Sequence, residues 1–209
     1  MEQSDIIQKV NSLIGIDESY KAPERIMEII SDKAVADGVF KAFMKAFDYD
    51  LGREWFQDYF EDEHADRKGK KQDFTPGSIS RLISELLGNE LQYGIIYEPT
   101  AGTGSLVITH WYKELKKHYF PWNYKPCNYL YICEELSDRA VPFLLFNLMI
   151  RGINALVIHG DTLTRKAKEA YHCDNKEDDC MCFSELRKLP HTKKVENLCN
   201  VKFISAREG

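Results

Sequence analysis

The residues best suited to chemistry lie in Tyr97-Glu98-Pro99-Thr100-Ala101-Gly102-Thr103-Gly104-Ser105-Leu106, where a short β-rich run gives way to a helical pattern. Gly102 and Gly104 let the chain turn tightly there and bring its backbone close to a ligand in the crevice beyond the strand's carboxyl end. A G-x-G alone suits several nucleotide ligands and also a plain strand-to-helix turn. Two later segments narrow the choice. Glu134-Glu135 closes the next β-rich run, at the place where a carboxylate receives hydrogen bonds from a ribose diol. Gly160-Asp161-Thr162-Leu163 closes the third. Read singly, Glu135 and Asp161 serve equally well as helix caps or turn acids. Taken in order, glycine-rich, acidic and Gly-Asp turns at three strand ends suit a nucleoside-bearing ligand laid across a sheet.

The elements that must position these turns are visible as alternating textures. Residues 94–97, 129–133 and 155–159 are β-rich and bounded by turn residues, and helical patterns separate them, as in an α/β domain with a parallel sheet. Ile79, Leu82, Ile83, Leu86 and Leu87 recur at helical spacing, with Ser78 as cap and Gly88 as stop. Further helices are expected over 103–119 and 137–151, where Gly152 ends the second and Pro142 bends it or shifts its start. Upstream, apolar clusters at Ile6–Ile14, Ile26–Ile30 and Val39–Phe47 keep to helical stripes. Pro23 suits a first helical turn, Gly38 a break between two helices, and Trp55, Phe56, Tyr59 and Phe60 one more short helix. The charged run over 61–71 reads as a solvated linker, dividing a helical N-terminal domain (1–70) from a cofactor-binding domain (71–209).

As an ordered set these segments resemble the N6-adenine DNA methyltransferases, in particular the modification subunits of type I restriction systems, over about residues 70 to 165. Gln72-Asp73-Phe74-Thr75-Pro76 is similar to the family's F-[YT]-T-P element, which contacts the methionine end of S-adenosylmethionine. Glu98-Pro99-Thr100-Ala101-Gly102-Thr103-Gly104 is similar to its D-P-x-x-G-x-G loop, with Glu98 in place of the usual Asp. Counting back from Asn147-Leu148, the Asn-Leu pattern of the next helix, puts Glu135 rather than Glu134 at the family's ribose-binding acid. Gly160-Asp161-Thr162-Leu163 is similar to the G-D-[ST]-L turn near the cofactor adenine. The resemblance implies a partial Rossmann-like S-adenosylmethionine-dependent methyltransferase sheet behind a small helical domain. It also implies cofactor contacts from Phe74, Thr75, Pro76, Glu98, Thr100, Gly102, Thr103, Gly104, Glu135, Asp161 and Thr162. DNA is then expected to be reached through a partner specificity subunit or another protein, in a homo- or hetero-oligomer.

One element of that family is missing from the sequence. No [DN]-P-P-[YFW] tetrapeptide occurs in the 209 residues. In the family the Asn or Asp and a proline carbonyl accept the hydrogens of the adenine amino group as it attacks the sulfonium methyl, while the aromatic ring stacks on a flipped-out base. The chain is accordingly expected to be a truncated relative, with no catalytic residue named. Residues 165–209 hold four of the six cysteines, in spacings that match no C-x-x-C zinc pair, and are expected as an irregular insertion with no metal, in which residues 199–204 add at most one strand. Arg187, Lys188, Lys193 and Lys194 form a local basic patch, suited to a solvated face or to phosphate.

Composition sets the outer bounds. With 44% hydrophobic residues the chain buries a sizeable core, and a net charge of −5 argues against gripping nucleic acid with its whole surface. Eleven basic and sixteen acidic side chains fall within residues 1–72, which therefore carry the entire net charge. The longest apolar run, Val141 to Ile150, is too short to span a bilayer and is broken by Asn147, so a cytoplasmic, membrane-free protein with reduced thiols is expected. Two functions remain: an S-adenosylmethionine-binding DNA adenine-N6 methyltransferase that needs a partner, or a catalytically inactive module of that fold serving as a regulatory or counter-defence interaction protein. A nicotinamide enzyme fits less well, since Val107 stands at the third glycine position and Glu135 lies beyond the usual spacing of about 20 residues. No Walker loop occurs.

Overall fold

The computed structural model describes residues 3–56, 59, 79 and 94–204. Three helices come first: α1 (Gln3–Ile14), α2 (Ala22–Ser31) and α3 (Lys33–Ala46). Pro23 sits in the first turn of α2, where its missing N–H leaves no intrahelical bond unmade. The break between α2 and α3 falls at Asp32, not at Gly38, which lies inside α3. Asp32 is extended, and its carboxylate accepts the Ala34 and Val35 amides at 2.9 and 3.2 Å, so a capping acid and not glycine flexibility separates the helices. Trp55, Phe56 and Tyr59 are all buried. The expected linker and the helix over 79–87, apart from helical Ile79, lie outside the described residues.

From Gly94 the chain alternates as its texture indicates. Strands β1 (Gly94–Glu98), β2 (Tyr129–Glu135) and β3 (Ala155–Asp161) pair side by side in parallel. Helix α4 (Ser105–Lys117) joins the first two and α5 (Ala140–Ile150) the second and third. Pro142 does shift the start of α5, to Ala140, where it falls in the first turn. Every residue of α5 is buried, because the sheet lies on one side and α2 and α3 on the other. Phe40 and Phe43 of α3 meet Phe146 of α5 at ring distances of 4.9 and 4.8 Å. A helix apolar on all sides, an odd feature of the sequence, is explained by that two-sided cover. Each such phenyl ring withdrawn from water contributes about 1.5–3 kcal/mol.

The expectation of an irregular segment after residue 165 is corrected. Residues 166–203 form β4 (Lys166–Asp174), antiparallel to β3, then β5 (Glu185–Lys188), α6 (Lys193–Cys199) and a short β6 (Lys202–Phe203) parallel to β4. The strand order is β1-β2-β3-β4-β5. Residues 199–204 thus hold the end of a helix and a two-residue strand. Leu156, Ile158, Ala167, Ala170, Val195, Cys199 and Val201 form a second, smaller core on the sheet face opposite α5. Among the described helices none is long and apolar enough to cross a membrane.

Candidate functional site

Parallel pairing in register carries the ends of β1, β2 and β3 to one edge of the sheet: Glu98 pairs with Cys133, and Glu135 with His159. The chain leaving β1 turns with Gly102 at φ +56° and Gly104 at φ +102°, both in the left-handed region that disfavours a side chain. A Cβ on Gly104 would also stand 3.1 Å from the Leu144 methyl of α5. Contacts from three sides hold this turn. The Ala101 amide donates to the Glu134 carbonyl (2.9 Å), the Gly102 amide to Glu135 Oε2 (2.8 Å), and Asn147 Nδ2 to the Thr103 carbonyl (2.8 Å). At the rim, Glu98 Oε1 accepts the Thr100 amide at 3.2 Å and its hydroxyl at 3.4 Å.

The adjacent acids divide by strand alternation. Glu135 points to the glycine turn, and its Oε1 accepts the Ser137 amide at 2.8 Å, so one carboxylate braces the loops after β1 and β2. Glu134 points to the other face, where it accepts two bonds from Arg165 Nη1 (2.8 and 2.9 Å) and one from the Tyr97 hydroxyl (2.9 Å). Burial, then that carboxylate, pushes the Tyr97 phenol above its ordinary value. After β3, Asp161 caps its own turn: Oδ1 accepts the Leu163 amide (2.8 Å) and Oδ2 the Thr164 hydroxyl (2.9 Å). Those bonds, the Thr164 hydroxyl foremost, hold the Asp161 carboxyl below the usual carboxylate range. The Thr162 hydroxyl reaches across to the Pro99 carbonyl at 2.7 Å, joining the first turn to the third.

Glu98, Thr100, Gly102, Thr103, Gly104, Glu135, Asp161 and Thr162 therefore stand along one sheet edge, while Phe74, Thr75 and Pro76 lie outside the described residues. Sequence reasoning missed a neighbouring group. His159 Nε2 lies 3.1 Å from Asp138 Oδ1, and Lys168 Nζ sits 2.7 Å from the same oxygen. Burial holds the His159 imidazole below its ordinary pKa, against the pull of Asp138. The available signal was the alternation of residues 155–161, which sends His159 to the buried face of α5 along with Ala155 and Val157.

Residues 51–183, more than half of the sequence, match the model of the family described as N-6 DNA Methylase. The chain belongs to that family. No curated protein matches it. Among solved structures it is similar to the methyltransferase subunit of a type I restriction-modification system from Streptococcus thermophilus, with 16% identity and a TM-score of 0.38. That likeness covers 77% of this chain and 39% of the subunit, so the chain spans well under half of the larger protein. The match to the N-6 DNA methylases takes in the glycine turn, both acids of β2 and the β3 turn, and also begins at Leu51, in a segment that the glycine turn meets through Asn147. Among the described residues of this family member no group of three or more His, Cys, Asp or Glu side chains is placed to hold a metal ion. Half of the basic patch is paired with carboxylates: Lys188 with Glu169 at 2.8 Å and Lys193 with Glu196 at 3.0 Å.

Proposed function

We propose that this N-6 DNA methylase family member binds S-adenosylmethionine across the ends of β1, β2 and β3 and serves DNA adenine-N6 modification in the cytoplasm, with a specificity subunit reading the DNA. The observation that carries this reading is the mutual bonding of the three turns, Gly102 to Glu135 and Thr162 to Pro99, which makes one continuous edge from three separate motifs. Bound there, the cofactor supplies an electrophilic sulfonium methyl. The chain's own residues fit such a ligand. The two glycines admit close approach of the backbone. Two backbone amides hold the Glu135 carboxylate in place beside the glycine turn, a group of the type that accepts bonds from a ribose diol. Glu98 orders the rim and faces the methionine amine. Asp161 and Thr162 would hold the adenine end, and by the motif resemblance Phe74, Thr75 and Pro76, outside the described residues, would contact the methionine end.

Titration calorimetry with S-adenosylmethionine, its demethylated product and NAD tests the reading. Saturable heat is expected with the first two and none with NAD, and Gly104→Asp, checked for folding by circular dichroism, abolishes it. Absence of heat with either sulfur nucleoside, or an unchanged response in the variant, overturns it. A second reading, a cofactor-binding module without transfer that acts in regulation or counter-defence, is favoured by the missing [DN]-P-P-[YFW] tetrapeptide. Methyl transfer to adenine by the purified chain, alone or with a DNA-reading partner, excludes that module.

A further inference from the structure

Behind the glycine turn lies a polar constellation sealed inside the protein. Asn147 on α5, 0% exposed, and Arg151 at the cap of its C-terminus, 1% exposed, stand about one helical turn apart. Asn147 Nδ2 donates to Glu54 Oε1 at 2.7 Å and to the Thr103 carbonyl at 2.8 Å, while its Oδ1 accepts Arg151 Nη1 at 2.9 Å. Both amide hydrogens are thereby engaged. Arg151 directs Nε to the Leu51 carbonyl (2.8 Å) and Nη2 to the Arg53 carbonyl (2.6 Å), and its guanidinium lies 4.6 Å from the Trp55 ring centre. Glu54 Oε1 also receives the Phe56 amide at 2.9 Å.

Volume alone does not require this arrangement, because buried polar groups and their partners are commonly replaced together by apolar residues at little loss of stability. What apolar residues cannot do is orient a peptide plane. Thr103 lies between two residues in the left-handed region, so local backbone preference does little to fix its carbonyl, and the Asn147 amide supplies the orientation. We propose that Asn147 is a positioning residue: through the Thr103 carbonyl it sets the glycine turn, and through Glu54 and Arg151 it makes that setting depend on the order of residues 51–56. The proposal rests on the reading of the turn as a nucleoside-cofactor site for its function, but not for its structural content.

The test measures amide hydrogen exchange over residues 101–106 in the ligand-free chain, alongside calorimetry with S-adenosylmethionine. In Asn147→Asp the carboxylate cannot donate to Thr103 and opposes Glu54, so exchange in the turn rises and affinity falls, each about tenfold, the effect of one lost hydrogen bond. Lowering the pH returns one donor to the variant, and its deficit in affinity narrows where the wild type shows no such change. Glu54→Ala, which touches no atom of the turn, loosens the same amides by about threefold while those of β3 stay protected, as coupling of this kind permits. That second variant decides the matter should Asn147→Asp not fold. Turn amides that exchange at the wild-type rate in a folded variant overturn the proposal. Loosened amides in a chain whose wild type gives no heat with the cofactor uphold the positioning role and refute the cofactor reading instead.

Discussion

The turn after β1 and the turn after β3 use similar residues, yet they are held in opposite ways. The glycine turn is fixed from outside: Glu135 from β2, Asn147 from α5 and the Glu134 carbonyl each supply a bond across more than thirty residues of sequence. The β3 turn is fixed chiefly by itself, with Asp161 accepting from the two residues that follow it closely, Leu163 and Thr164. Residues at strand tips that look alike as motifs thus depend on different parts of the fold. A turn held from outside fails when a distant residue is changed, whereas a self-capped turn responds only to its own residues.

The sharpest way to break the contrast is Arg151→Met. Burial lowers the Arg151 pKa only to about 10, so the side chain is charged at neutral pH, and its removal takes a donor from both Asn147 oxygens and from the Leu51 and Arg53 carbonyls. A loss of about 3–5 kcal/mol is expected in chemical denaturation, as for several hydrogen bonds from one buried charged group lost together. A loss below about 1 kcal/mol would show that the constellation contributes little and that the turn needs no outside support. Glu135→Gln comes next. The amide can accept from Gly102 or Ser137 through its oxygen, but its NH2 group then faces the other amide, so about 1.5–3 kcal/mol of charge-assisted bonding is lost. Hydrogen exchange should localise that loss to the turns after β1 and β2. Glu134→Gln, a change at the next residue but on the opposite face, is expected to weaken the Arg165 contact and leave the glycine turn protected.

The same contrast explains how much the sequence discloses. Strands β1 to β3 are legible because each is a short apolar run ending at glycine or acid, α4 because a helical pattern follows the first of them, and α5 because its apolar run stops at Gly152. The self-capped β3 turn is legible too, since Asp161 and Thr164 lie within one short stretch. Strand β4, by contrast, reads Lys-Ala-Lys-Glu-Ala-Tyr-His-Cys-Asp, and its outer positions carry charges that pair with β5, α5's leading loop and His191. Local apolar content is too low to announce a strand whose stability comes from pairing with β3 at seven positions. Asn147 is visible in the sequence as a polar break in an apolar run and as part of the Asn-Leu pattern, but neither announces its contacts. What it touches, Glu54 and Thr103, is set by tertiary approach and has no local trace.

The smallest expected effect completes the comparison. Asp161→Asn removes a charge from an exposed turn, retaining Oδ1 as acceptor for the Leu163 and Thr164 amides while the Thr164 hydroxyl loses its anionic partner. Because the folded carboxyl lies below its unfolded value near pH 3.9, its stabilisation is complete above that value and disappears as pH falls through the lower, folded one. The variant should therefore stay close to the wild type at neutral pH, as surface substitutions do, and should lack part of the wild type's fall in stability on acidification. The Leu163 and Thr164 amides alone should exchange faster. Loosening that spreads to Gly102 would mean that the Thr162 bond to Pro99 carries the order of the third turn into the first, and the two turns would then be one mechanical unit and not a borrowed frame beside a self-made one.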